Sequence, residues 1–307
     1  MNGGTVAGVV DRVEGGIGSP GMRAMAAGAF WFSVMAALVK ALGRGLPSQE
    51  IVLVRGSINL ALSFWLVRRA GVSPWGTRRR LLLQRGIFGF LALTCFYLSL
   101  TRLPLAEANL IQLSSPIYTA ILAALILGER MGRRETACVV ASIVGVLLVV
   151  RPAAAGHALG GSTVVVAVLG AVCSACAYVT IRQMTDEHPL VVVLYFPLVT
   201  VPATIPLVWG HLAWPTGMQW LMLAGVGVTT QMAQISMTRG LQLEPAGRAT
   251  AVGYLQVVFA AIWGVLFFAE HPSPWTVGGA ALILVSTIVL AGSGRQPAAQ
   301  QVAMEDA

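Results

Sequence analysis

Residues Pro104 to Glu129 read P-L-A-E-A-N-L-I-Q-L-S-S-P-I-Y-T-A-I-L-A-A-L-I-L-G-E, an apolar helix carrying a broken polar line and closed by an acid. A related stretch returns from Pro245 to Glu270: P-A-G-R-A-T-A-V-G-Y-L-Q-V-V-F-A-A-I-W-G-V-L-F-F-A-E. Pro104 matches Pro245 and Glu129 matches Glu270 with no gap between. A repeat of this kind organises the rest of the chain around it.

Outside the two stretches the chain stays apolar. Of 307 residues, 56% are hydrophobic and 10% charged, and mean hydropathy is +0.78. No soluble domain needs that much apolar surface, so the class is a polytopic membrane protein. Ten spans are predicted, at about 22–42, 50–67, 82–101, 105–127, 135–150, 163–183, 190–209, 219–238, 246–268 and 275–291. The basic excess of the chain falls in short loops between spans, where it fixes orientation rather than binding nucleic acid. Arg12, Arg23, Arg68, Arg69, Arg78, Arg79, Arg80, Arg85, Arg130, Arg133, Arg134, Arg182, Arg239, Arg248 and Arg295 sort to the side of the N-terminus. The other side holds Lys40, Arg44, Arg102 and Arg151, so both termini are expected in the cytoplasm.

The repeat extends past the opening helix. Gly28 pairs with Gly170, Lys40 with Arg182 and Pro47 with Pro189, again ungapped. Each half then holds five spans, and an odd number turns the second half upside down relative to the first. The fold class expected is an all-α polytopic membrane protein, with ten transmembrane helices as two inverted five-helix repeats around a central cavity. Residues 1–21 and 293–307 are expected to be cytoplasmic tails, 22–152 the first repeat and 163–292 the second. The four cysteines (Cys95, Cys138, Cys173, Cys176) all fall inside apolar spans and are read as packing, not as a disulfide framework or zinc site.

Polar residues at helical spacing inside a span mark a buried interface or a cavity. Span 4 offers Asn109, Gln112, Ser115 and Thr119; span 3 offers Thr94, Tyr97 and Thr101. Its repeat partner, span 8, carries Gln231, Gln234 and Thr238, and span 9 carries Thr250, Tyr254 and Gln256. Span 2 adds Arg55, Asn59 and Ser63, and span 6 adds Ser174 and Tyr178. The competing reading is structural, because Ser and Thr often bond their own backbone and amides tie helices together. Repetition of the stripe in spans 3 and 8 favours a cavity, with Trp31, Tyr97, Tyr178 and Tyr254 as aromatic walls. Arg55 reads as the only basic residue well inside a span, placed either to bind an anionic group or to pair with Glu50. Glu129 and Glu270 close helices at ends where a carboxylate is disfavoured, so each needs a compensating partner. Arg133 and Arg134 are the sequence neighbours of Glu129, and His271 that of Glu270. Both acids are read as structural or gating groups, with Pro116 as a kink. Ala120 and Ala124, against Ala261 and Gly264, are expected at a close helix crossing.

The residues also resemble a known group, the drug/metabolite transporter superfamily and within it the ten-span EamA-like family. The likeness rests on Gly128-Glu129-Arg130 and Ala269-Glu270-His271, on Ser115-Pro116, on Lys40 to Pro47, and on the run from Val277 to Ile283. It covers about residues 22–291. One departure is Val257, which stands where Pro116 stands in the first half and leaves the second without that proline. The resemblance implies a secondary transporter in the cell (inner) membrane, with spans 5 and 10 as peripheral scaffold.

The function expected is alternating-access transport of a small polar organic metabolite, such as an amino acid. A multidrug or lipophilic-cation efflux carrier is the alternative. An intramembrane enzyme would need paired intramembrane acids, a metal-binding helix or an activated nucleophile, and the four histidines lie unpaired in loops. The partners expected are the bilayer and a small-molecule substrate, with no nucleic acid, no cofactor, no metal, and a monomeric state.

Overall fold

A computed structural model describes residues 19–42, 46, 48–102, 111–129, 131–150, 161–208, 214–269 and 273–292. Asn109, Glu270, most of both tails and the side chain of Tyr97 lie outside the described residues.

The described residues form helices joined by short turns, with no strand among them. In chain order these are α1 (Pro20–Leu42), α2 (Ser48–Arg69), α3 (Arg79–Arg102), α4 (Ser115–Leu127), α5 (Arg133–Val150) and α6 (Gly161–Gln183). After them come α7 (Pro189–Val208), α8 (Gly217–Leu243), α9 (Ala246–Gly253), α10 (Leu255–Phe268) and α11 (Pro274–Gly292). Every predicted span has a helical counterpart, and span 9 is divided between α9 and α10. By length and composition, α1, α2, α6, α7 and the α9–α10 pair are apolar enough to cross a bilayer. Two shorter apolar helices lie within α4 and α11.

Each helix finds its main neighbour in the other half of the chain. α1 packs on α8, α3 on α6, α2 on α7 and α5 on α11, while α4 lies against both α6 and α9. Secondary contacts follow the same exchange: α3 with α7 answers α2 with α8, and α6 with α4 answers α1 with α10. Small residues allow these approaches, because dispersion at short range drives helix association where no water is released. A Cβ on Gly28 would stand 3.1 Å from the backbone nitrogen of Met237 on α8, and one on Gly170 would stand 2.9 Å from Cβ of Cys95 on α3. The sequence repeat pairs those two glycines, and they occupy corresponding crossings. The expected crossing of Ala120 and Ala124 with Ala261 and Gly264 is not formed. Ala120 instead faces Gly247 on α9, and Ala124 is exposed.

Apolar side chains cover the outside. Leu125, Leu266, Phe267 and Ile288 all project outward, as a lipid-facing surface requires. The core runs between the halves through Met25, Val67, Leu82, Ile181, Val191 and Leu241.

Candidate functional site

The two stretches that open the sequence are both broken near their middles. Ser114 donates its backbone N–H to Ile111, and Ile117 donates to Ser114 at 2.9 Å. A regular α-helix would send the Ile117 N–H to the Leu113 carbonyl. Pro116 has no N–H to give to Gln112, so the helix cannot run straight through. The Leu113 carbonyl is thereby released, and the hydroxyl of Tyr254 donates to it at 2.8 Å. Tyr254 is itself the break between α9 and α10: its N–H reaches Ala251, and Val257 donates to its carbonyl. The break therefore forms in the second half without a proline. Gly253 lowers the helical preference there, and the phenol hydroxyl anchors the turn.

A belt of polar side chains crosses the helices around these breaks. Gln112 donates from its side-chain amide to the Ser174 hydroxyl at 2.8 Å, joining the α4 stretch to α6. One turn along α6, Tyr178 lies within electrostatic range of Arg85 on α3. Arg85 donates to the Gln234 carbonyl oxygen at 3.1 Å, and its guanidinium lies over the Phe196 ring, 4.9 Å from the centroid. One turn along α8, the Gln231 amide meets the Ser63 hydroxyl on α2 at 2.9 Å. Asn59, a further turn along α2, is buried with its side-chain oxygen unbonded among the described residues.

The sequence places Arg85 with the loop arginines at the side of the N-terminus. α3 begins at Arg79, which carries Arg85 about 9 Å along the helix axis at about 1.5 Å per residue. It is only 3% exposed. Arg85, not Arg55, is the deeply buried basic residue; Arg55 is half-buried. The signal lies in R-G-I-F-G, Arg85 to Gly89, where the glycine four residues on clears the face that the long side chain crosses. A Cβ on Gly89 would sit 2.5 Å from an Arg85 guanidinium nitrogen.

At the face carrying the loop arginines, Glu129 ties three helix ends together. Gly128 takes a left-handed conformation (φ 68°) that ends α4 and turns the chain back. One carboxylate oxygen of Glu129 accepts from Arg182 Nε at 2.7 Å, and the other from the N–H of Ala246 at 2.8 Å. Arg182 also donates to the Gln242 carbonyl at the end of α8, at 2.6 Å. The partner of Glu129 thus comes from span 6, not from Arg133 or Arg134, both of which are exposed. The acid stands at the N-terminus of α9, where the helix dipole favours it.

A second clasp lies beside the first. The buried carboxylate of Glu187 accepts from the N–H and hydroxyl of Thr77 and from the N–H of Arg78. Burial raises its pKa, but the hydrogen bonds from Thr77 and Arg78 outweigh that and hold it below the ordinary carboxylate value. Arg78 pairs with Asp186 at 2.5 Å. A cleft of about 550 Å³ opens here, lined by Gly76, Thr77 and the Arg78–Arg80 run.

Of the predicted polar residues, the structure joins Gln112, Tyr178, Gln231 and Gln234 into the belt and sets Ser115 and Pro116, both buried, at the α4 break. Tyr254 is buried in the contact between the breaks. Trp31, Thr94 and Gln256 are half-buried, and Trp31 meets Phe30 edge-on at 5.3 Å. The hydroxyls of Thr119 and Thr250 return to backbone carbonyls four residues back. The structural reading of such residues applies to these two.

Comparison with known proteins follows the same division of the chain. The profile of the EamA-like transporter family matches residues 19–151 and again 161–292. The pseudopaline exporter CntI of Pseudomonas aeruginosa is 36% identical over 263 residues, covering 85% of this chain and 92% of that protein. Human solute carrier family 35 member G1 is 32% identical, over 73% of this chain and 65% of that one. An S-adenosylmethionine uptake transporter of Rickettsia felis is 22% identical, over 82% and 85%. A solved crystal structure at 19% identity superposes with a TM-score of 0.78 over 88% of this chain and shows a shared fold.

Proposed function

The chain belongs to the EamA-like transporter family, and from that premise we propose that it carries a small polar organic metabolite across the cell membrane by alternating access. That it is a multi-pass membrane transporter follows from the family; the cargo class and the mechanism are our reading.

In this reading ten spans form two inverted repeats of residues 22–152 and 163–292, with both termini cytoplasmic. The single observation that carries it is the pair of helix breaks in contact at Leu113 and Tyr254. Broken helices at corresponding places in two repeats leave backbone groups for a ligand and mark the binding region of carriers. The exchange of contacts between halves supports the repeat. So does Lys40, the repeat partner of Arg182, whose ammonium lies 4.5 Å from the centroid of the Phe268 ring.

In this proposal a cavity is lined by the polar belt, with Trp31, Arg55, Asn59, Thr94, Ser115 and Gln256 around it, and Tyr97 and Asn109 belong to it by the sequence reading alone. The clasps at Glu129 and Glu187 close the arginine-rich face, and alternating access requires them to open. A thermal-shift screen of metabolites on the purified chain tests the cargo class. Stabilisation by polar metabolites supports it. Stabilisation by lipophilic cations alone would put a drug-efflux carrier in its place.

A further inference from the structure

Buried charges elsewhere in the described residues are answered. Glu187 accepts three hydrogen bonds, and Glu244 takes the Ser19 hydroxyl and lies 3.5 Å from Arg248. Arg85 is different. Its neighbours are neutral: the Gln234 carbonyl, the Phe196 ring and the Tyr178 phenol. None of the ion pairs of the described residues includes it. Its Nε–H is buried without an acceptor.

An arginine so placed is desolvated inside a span, where such residues are rare and costly. An aromatic face and one amide return part of that, but not the charge-assisted bonds a guanidinium can form. Gly89 makes room for it, since a Cβ there would stand 2.5 Å from a guanidinium nitrogen, and Gly86 lets α7 approach the same stretch of α3. The arrangement keeps a cation desolvated, held in place and short of one anion.

We propose that Arg85 binds a carboxylate of the cargo, so that the substrate is an anion or zwitterion and not a lipophilic cation. This rests on the carrier reading and narrows it. The carboxylate takes the free Nε–H and competes with Gln234 for the guanidinium. Tyr178 and Gln234 then stand as neutral donors for the rest of the polar group. A cation without a carboxylate meets only repulsion at this point.

Matched acids and amines isolate the carboxylate. Histidine, phenylalanine and lysine are compared with histamine, phenethylamine and cadaverine, by thermal shift on the purified full chain and by counterflow in proteoliposomes. At least one acid is expected to stabilise the protein while its decarboxylated twin does not. Arg85→Gln should weaken that acid on the order of a hundredfold and Arg85→Lys about tenfold. Monodispersity and the melting point without ligand show that each variant is folded. Unchanged acid binding in folded Arg85→Gln, equal binding of the twins, or no response to any acid would overturn the assignment. Saturable counterflow of tetraphenylphosphonium without any acid response would remove the carboxylate site and leave the carrier standing. Unsaturable flux of every probe would remove the carrier reading itself.

Discussion

The Tyr254 hydroxyl bonds the Leu113 carbonyl at 2.8 Å, and the two residues hold the same place in the repeated stretches that begin at Pro104 and Pro245. The break in each half thus touches the break in the other. Tyr254→Phe keeps the ring and removes the bond, leaving the half-buried Leu113 carbonyl without that donor. It should cost about 1–2 kcal/mol, read as a lower melting temperature, with a larger relative loss in transport rate than in folded yield.

Glu129 and Arg182 should behave as one unit. Their contact joins the ends of α4, α6 and α8 to the start of α9, and both side chains are about one-fifth exposed. A double-mutant cycle with Glu129→Gln and Arg182→Gln should give a coupling of about 1–2 kcal/mol in thermal or denaturant unfolding. Additive losses would mean that the clasp carries no joint stability.

Ala269 holds a left-handed conformation, φ 53°, at the position where the first half has Gly128, φ 68°. A side chain there costs about 1 kcal/mol that glycine avoids. Ala269→Gly should therefore raise the melting temperature, whereas Gly128→Ala should lower it.

Glu187 makes stability depend on pH. Its folded pKa lies below the unfolded value, because the hydrogen bonds from Thr77 and Arg78 outweigh desolvation. Its contribution is complete above the unfolded pKa and fades as pH falls through the folded one. The wild type should lose stability below about pH 4.5, the ordinary value for glutamate. Glu187→Gln should melt lower at pH 7 and show a shallower decline in acid.

Much of this was legible in the chain itself. Span positions follow from apolar length, and the repeat follows from ungapped matches such as Gly28 with Gly170 and Pro104 with Pro245. The belt was legible as stripes, because Gln231 and Gln234 share a helix face. Partners were not. Nothing local links Glu129 to Arg182, and the nearer Arg133 and Arg134 are drawn outward by water. Arg85 was hidden by its position beside loop arginines, since three turns of sequence do not say where helix α3 begins. The break at Tyr254 was hidden as well, because it depends on a carbonyl released in the other half.

The most direct measurement is counterflow in proteoliposomes loaded with an unlabelled amino-acid mixture and placed in a trace of the same mixture labelled. An alternating-access carrier for such metabolites gives a transient accumulation of label above equilibrium that saturates with concentration. Labelled uptake that shows no overshoot and rises linearly with concentration would contradict it.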